Sequence, residues 1–222
     1  MDYKQIAAKV EPRSGTGTQD WVYRVLREGI MSGELKGGMQ LKQDEISDAL
    51  NVSHIPVREA LRQLEAQRLV TILPNRGASV TELSREMLID MMQVRAAIST
   101  AMLKLAIPRM TDEDFAKIDA NLAEQRASTD AKSYEKANNA FHELLNARAT
   151  NPVADLMTEN IHANIDRYLR APFYDNADNR ACSIEEHQAI ADACKARDVE
   201  KAVSLLNDHF LEAIDRIPED MK

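Results

Sequence analysis

At 222 residues, 44% of them hydrophobic, the chain is long enough for two ordinary domains, each with its own core. Only seven Gly and seven Pro stand against many Ala, Leu, Glu, Arg, Lys and Met, which favours helices and excludes collagen-like and low-complexity classes. The net charge of −8 hides a split. Residues 1–80 carry 11 Lys/Arg and 10 Asp/Glu and residues 81–222 carry 17 and 26, so the first part is at +1 and the rest at −9. A DNA-binding module joined to an acidic regulatory or oligomerising domain would have this asymmetry. The two cysteines, Cys182 and Cys194, are too few for a zinc ribbon or a disulfide framework and read as reduced intracellular thiols. No apolar signal core opens the chain, and no stretch reaches about 18 uncharged apolar residues. A soluble cytoplasmic protein without a membrane partner is expected.

Residues 1–18, with Pro12, Gly15 and Gly17 among small polar residues, read as a flexible N-terminal arm. Thr18 or Asp20 can then cap a helix whose apolar face is Val22, Val25, Leu26 and Ile30, stopped by Gly33. After Gly37-Gly38, residues 43–50 predict a second helix burying Ile46, Ala49 and Leu50, closed by Asn51, which tolerates the left-handed conformation. Ser53 caps a third with Val57, Ala60, Leu61 and Leu64 on one face, and Pro56 is allowed within its first turn. Residues 69–73 and 78–81 are strand-like, with Pro74-Asn75-Arg76-Gly77 as the turn between them. Three short helices and a hairpin predict a winged helix-turn-helix over residues 19–82.

From Ser84 the pattern is helical throughout. A segment over about 85–107 is expected to bury Leu88, Met91, Met92, Ile98, Met102 and Leu105, and Pro108 ends it. Thr111 followed by Asp112-Glu113-Asp114 starts a helix to about Ala127, because carboxylates in the first turn oppose the positive end of the dipole. Further helices are expected over about 132–149 and, after Asn151-Pro152, to about 170. Residues 171–182 read as a loop, Ser183 and Glu186 as a capping box, and Asp198 as the cap of the last helix. The fold class is therefore mainly α: a winged helix-turn-helix followed, over 83–222, by an all-α bundle of about six helices.

The stretch Leu35 to Leu41, then Ile46 to Leu50, then Ser53-His54-Ile55-Pro56-Val57-Arg58-Glu59-Ala60-Leu61-Arg62-Gln63-Leu64, with Arg76 at the wing, resembles the N-terminal domain of GntR-family bacterial transcription regulators. The helical remainder, with Phe141-His142, Glu186-His187 and His209, is similar to the FCD-type ligand-binding domain of that family's FadR-like branch. An Arg near the start of a recognition helix can hold guanine O6 and N7 with two hydrogen bonds. Arg58, opposite the buried Val57/Leu61 face, is placed for this; the alternative is a solvated Arg paired with Glu59 or Glu65. His54 and Ile55 stand where the family often has Arg and Thr, and so would read a different base or touch a thymine methyl. Arg62 and Ser53 suit phosphate oxygens, and Arg76 at the wing tip is expected to meet the backbone or the minor groove. Asp44 stands where relatives often carry a basic residue, and its charge repels phosphate.

Imidazoles from three facing helices can hold Zn²⁺, Ni²⁺ or Mn²⁺. The resemblance implies such a centre at Asn138, His142, His187 and His209. Asn138 and His142 are four apart and share a helix face. Asn138 replaces the family's usual Asp, so the ligand set is neutral. The resemblance also implies that Arg95 faces the carboxylate of a small effector, the alternative being a salt bridge to another helix. His162 reads as a pocket-lining or packed residue rather than a ligand. The expected function is a homodimeric repressor of a palindromic DNA operator, controlled by a small organic acid and not an enzyme. The rival is a metal-dependent hydrolase using the three histidines. A non-specific DNA-compacting protein would need far more positive charge.

Overall fold

The computed structural model describes residues 2–11, 17–73, 77–82, 84–169 and 173–217, and the chain divides into two compact units, 1–83 and 84–222. In the first unit, α1 (Tyr3–Ala7), α2 (Thr18–Met31), α3 (Gln43–Leu50) and α4 (His54–Ala66) pack with a three-stranded antiparallel sheet of β1 (Gln40–Leu41), β2 (Val70–Leu73) and β3 (Gly77–Val80), ordered β1-β3-β2. The apolar faces read from the sequence meet in one core: Val22, Val25, Leu26 and Ile30 of α2, Ile46 and Leu50 of α3, and Val57, Ala60, Leu61 and Leu64 of α4. Asn51 closes α3 in the left-handed conformation at φ 51°. In the sheet, Leu41 pairs with Ala78 and Leu73 with Gly77. Gly77 has φ +84°, and a Cβ there would run into the Leu41 carbonyl, so the junction of wing and β1 admits only glycine.

Three local expectations for this unit need correction. The N-terminal arm is not loose throughout: Asp2 caps α1, and Tyr3 and Ile6 of that helix are buried in the core. Gly17, rather than Thr18 or Asp20, is the N-cap of α2. Ser53 occupies the N-cap of α4 but makes no side-chain capping bond.

The second unit is built from α5 (Arg85–Ala106), a 3-10 turn (Ile107–Arg109), α6 (Asp112–Ala127), α7 (Ala131–Asn146), α8 (Pro152–Leu169), α9 (Ala177–Lys195) and α10 (Val199–Asp215). Among the described residues no helix is long and apolar enough to cross a membrane. Thr111 and Asp114 form a reciprocal capping box at α6, and Asp198 caps α10 by accepting from the Lys201 N–H. The capping box expected at Ser183 and Glu186 does not exist. Helix α9 starts six residues earlier, where the Asn176 side chain accepts from the Asp178 and Asn179 N–H groups, and Ser183 is buried within the helix. Leu105, expected in the core, is 47% exposed, and Met91 and Ile98 are only half-buried.

Candidate functional site

Two surfaces carry chemistry, one in each unit. In the first, the buried stripe of α4 leaves its other face to solvent, and Ser53, His54, Ile55, Arg58 and Arg62 are all exposed on it. Ile55, 64% exposed, is a large apolar side chain with no packing role. The Arg58 Nε lies 3.6 Å from Glu59 Oε1 and the Arg62 Nη1 3.1 Å from the same oxygen. Exposed pairs of this kind hold little energy, so both guanidinium groups are available to nucleic acid. His54 Nδ1 sits 3.5 Å from Asp44 Oδ1 and from Ser47 Oγ on α3. Arg76 lies outside the described residues.

In the second unit, α7, α9 and α10 bring His142, His187 and His209 together, all buried, with one nitrogen of each within 4.8 Å of the others. These are the three histidines singled out from the sequence. The Nε2 atoms of His187 and His209 face each other at 3.2 Å. Their outer nitrogens are held: His187 Nδ1 is 2.8 Å from Gln125 Oε1, and His209 Nδ1 is 2.7 Å from Glu186 Oε2. Phe141 stacks on His187 at 4.2 Å between centroids, and Phe210 stacks on His142 at 5.0 Å. Burial pushes all three imidazole pKa values down, with the Arg95 charge adding to it; for His209 the Glu186 carboxylate opposes the shift. Burial would raise the Glu186 pKa, but hydrogen bonds from His209 and Arg216 outweigh it and hold the group ionised, at about 2.

Asn138, one turn before His142 on α7, is buried and lines a cavity of about 20 Å³ together with Arg95, His142, Tyr174, His209 and Phe210. That is room for about one water-sized occupant. The Asn138 Nδ2 donates to Tyr174 Oη and to Asn139 Oδ1, each at 3.4 Å. Arg95 enters from α5, only 2% exposed, with its guanidinium 4.7 Å above the Phe210 ring. Its Nε and Nη2 have no hydrogen-bond partner among the described residues. Burial lowers its pKa while Tyr174 and Asp166 oppose the shift, and an arginine remains charged even so. Among the described residues Arg95 makes no salt bridge: Asp166 is instead hydrogen-bonded by Asn139 at 3.0 Å and Tyr174 at 3.3 Å. His162 on α8 is half-buried and outside the cavity lining, and burial together with Arg95 lowers its pKa to about 2.

Sequence reasoning missed Gln125, Tyr174, Asp166 and the Glu186–Arg216 pair. Of these only Glu186 stands in a motif read from the sequence, beside His187, and only packing brings them together at the site.

Comparisons with known proteins find relatives of both units. A model of the FCD domain matches residues 90–212, and a model of bacterial regulatory proteins of the gntR family matches residues 18–80. The chain is 29% identical over 194 residues to the HTH-type transcriptional repressor RspR of Escherichia coli K12, covering 86% of this chain and 85% of RspR. It is 28% identical over 210 residues to the HTH-type transcriptional repressor GlaR of the same strain, covering 90% and 95%. Among solved structures, E. coli McbR/YncC superposes with a TM-score of 0.72 at 23% identity over 90% of this chain and 96% of that one, a likeness of fold. A GntR family member from Pseudomonas syringae pv. tomato is 26% identical, with a TM-score of 0.53 over 97% and 92%.

Proposed function

Because the chain belongs to the gntR family of DNA-binding bacterial transcription regulators and carries that family's FCD domain, we propose that it is a repressor whose hold on a palindromic operator is set by a small carboxylate bound at a divalent-metal site in its second unit. The observation that carries this reading is the buried three-histidine cluster beside an unpaired, buried arginine. Three neutral imidazoles are the usual protein donors for Zn²⁺, Ni²⁺ or Mn²⁺. Metal–nitrogen bonds of about 2.0–2.1 Å place two tetrahedral ligands about 3.3 Å apart and two cis octahedral ligands about 2.9 Å apart. The 3.2 Å between the His187 and His209 Nε2 atoms falls between these values, so this pair fits the ion, with His142 beside it in the same buried cluster. Asn138 would add an amide oxygen, leaving the ion its full charge. A bound ion supplies positive charge and open coordination positions to an anion.

Arg95 then provides the second pole, its free N–H groups matching a carboxylate, with His162 nearby as a neutral imidazole. The cavity is too small for an organic acid as it stands, so the effector must displace wall side chains such as Met92 and Leu169. A ligand that binds only the displaced arrangement shifts the equilibrium toward it. In the first unit, Arg58, His54 and Ile55 would meet base edges and Ser53, Arg62 and Arg76 the phosphates.

A palindromic operator requires two such heads, and homodimerisation is supported by exposed apolar side chains in the second unit: Val94 and Leu105 on α5, and Val153, Leu156 and Met157 on α8, a helix packed against α5. An operator-binding protein of this kind acts in the cytoplasm. Both matched families are regulatory, and none of the relatives supports the metal-dependent hydrolase.

The test is a gel shift with DNA from the protein's own promoter region, run with the protein as purified, after chelation, and with a panel of small carboxylates. Saturable binding that one carboxylate alters only in the metal-loaded protein supports the reading. Equal affinity for random DNA, or a carboxylate response untouched by chelation, refutes it.

A further inference from the structure

The orientation of His187 is set by a relay that begins at an unambiguous acceptor. The Ala137 backbone carbonyl on α7 can only accept, so the Asn121 side chain on α6 presents its Nδ2 to it, at 3.0 Å. That turns the Asn121 Oδ1 toward Gln125, whose Nε2 donates to it at 2.8 Å. The Gln125 Oε1 is therefore the atom facing His187 Nδ1 at 2.8 Å, and the imidazole must carry its proton on Nδ1. Every member of the relay is buried, so no water competes for these bonds. His187 Nε2 is left as a bare lone pair. On the opposite side the Glu186 carboxylate likewise places the His209 proton on Nδ1 and leaves its Nε2 bare. Two lone pairs facing each other at 3.2 Å in a dry interior repel unless a cation lies between them.

We propose that Gln125, aligned by Asn121 and the Ala137 carbonyl, is a positioning residue that locks His187 in the Nδ1–H tautomer and so makes its Nε2 a permanent metal donor. Without this lock the imidazole can place its proton on Nε2, and the site must move that proton before it takes an ion. The inference rests on the metal reading above but concerns residues that touch no metal. Outer partners of this type typically set metal affinity by about 10–100-fold.

The experiment uses full-length protein stripped with chelator and titrated with Zn²⁺ and with Ni²⁺ against a chromogenic competitor. Gln125→Leu is expected to bind both ions about 10–100-fold more weakly than wild type. Gln125→Glu gives up the donor to Asn121 Oδ1 but keeps an acceptor for Nδ1–H, and is expected to bind both ions more tightly than Gln125→Leu, since the bond to the imidazole is preserved. In metal-free wild type, imidazole ¹⁵N shifts are expected to report His187 with its proton on Nδ1, and in Gln125→Leu a mixture of tautomers. Equal affinities for wild type and Gln125→Leu, or a Glu variant as weak as the Leu variant, overturn the proposal alone. So does an Nε2–H tautomer in metal-free wild type. A wild type that takes up neither ion, nor Mn²⁺ in a parallel titration, overturns the metal reading and the proposal with it. Should Gln125→Leu fail to fold, the tautomer of metal-free wild type still decides.

Discussion

Arg95→Met should separate effector binding from stability. The guanidinium is 2% exposed, and two of its nitrogens, Nε and Nη2, are unpartnered. Each buried donor without a partner costs about 1–3 kcal/mol, so removing both relieves about 2–6 kcal/mol. Against this, the stacking on Phe210 at 4.7 Å is lost, about 1–2 kcal/mol for a desolvated cation over a ring. Asp166 loses a nearby positive charge but keeps its bonds from Asn139 and Tyr174, and burial already raises its pKa, so it can take up a proton. Methionine fills most of the vacated volume with flexible apolar atoms. The variant should be more stable than wild type by about 1–3 kcal/mol in the absence of any effector, a rise of about 2–4 °C in the melting temperature for each kcal/mol. The same substitution removes the charge-assisted bonds to a carboxylate, worth about 1.5–3 kcal/mol, and should weaken the effector by about 10–100-fold. Thermal denaturation with and without a carboxylate chosen on wild type, paired with operator gel shifts, measures both quantities. A variant that melts lower than wild type and still answers the carboxylate would show that Arg95 is a structural residue, and the reasoning would fail at its first step.

In the first unit, Arg58→Ala should cost about 1–3 kcal/mol on the preferred operator and little on random DNA, whereas Arg62→Ala should weaken both; gel-shift titration at fixed salt separates base reading from phosphate contact. Leu156→Glu, placing a charge in the exposed apolar face of α8, should convert the proposed dimer to monomer at micromolar concentration in sedimentation, and a persistent dimer would move the interface elsewhere. The Asp114 pKa is pulled down, chiefly by the two hydrogen bonds from Arg148 and then by the Thr111 N–H. Because the folded value lies below the unfolded 3.8, its stabilisation is complete above about pH 4 and is lost as pH falls further. Asp114→Asn should cost about 1–2 kcal/mol at pH 7 and flatten the acid limb of a denaturation-versus-pH curve.

The sequence was legible where a local rule carries the whole answer. Asn51 at the end of α3, Thr111 with Asp114 at α6 and Asp198 at α10 are caps that need only their own neighbours. It misled where a local pattern recurs without its context: Ser183-x-x-Glu186 has the spacing of a capping box, yet the chain is already helical there because Asn176 started α9 earlier. The five-residue α1 was invisible because its stability comes from the burial of Tyr3 and Ile6 against other elements, not from its own propensity. Leu105 follows the same periodicity as core residues but lies on an outer face of α5; an apolar stripe states that a face wants cover, not whether the cover is in the same chain. The histidines show the same division. Spacing put Asn138 and His142 on one face, resemblance supplied His187 and His209, and packing alone revealed that His187 is tied to Gln125 and His209 to Glu186. The two ties differ in kind, a neutral amide on one imidazole and a carboxylate clamped by Arg216 on the other, so the two histidines are unequal donors. In the proposed metal centre the carboxylate-backed His209 would be the more basic ligand, and the amide-backed His187 would contribute a fixed direction more than charge. A centre built this way would keep most of the ion's positive charge for an anion entering beside Arg95.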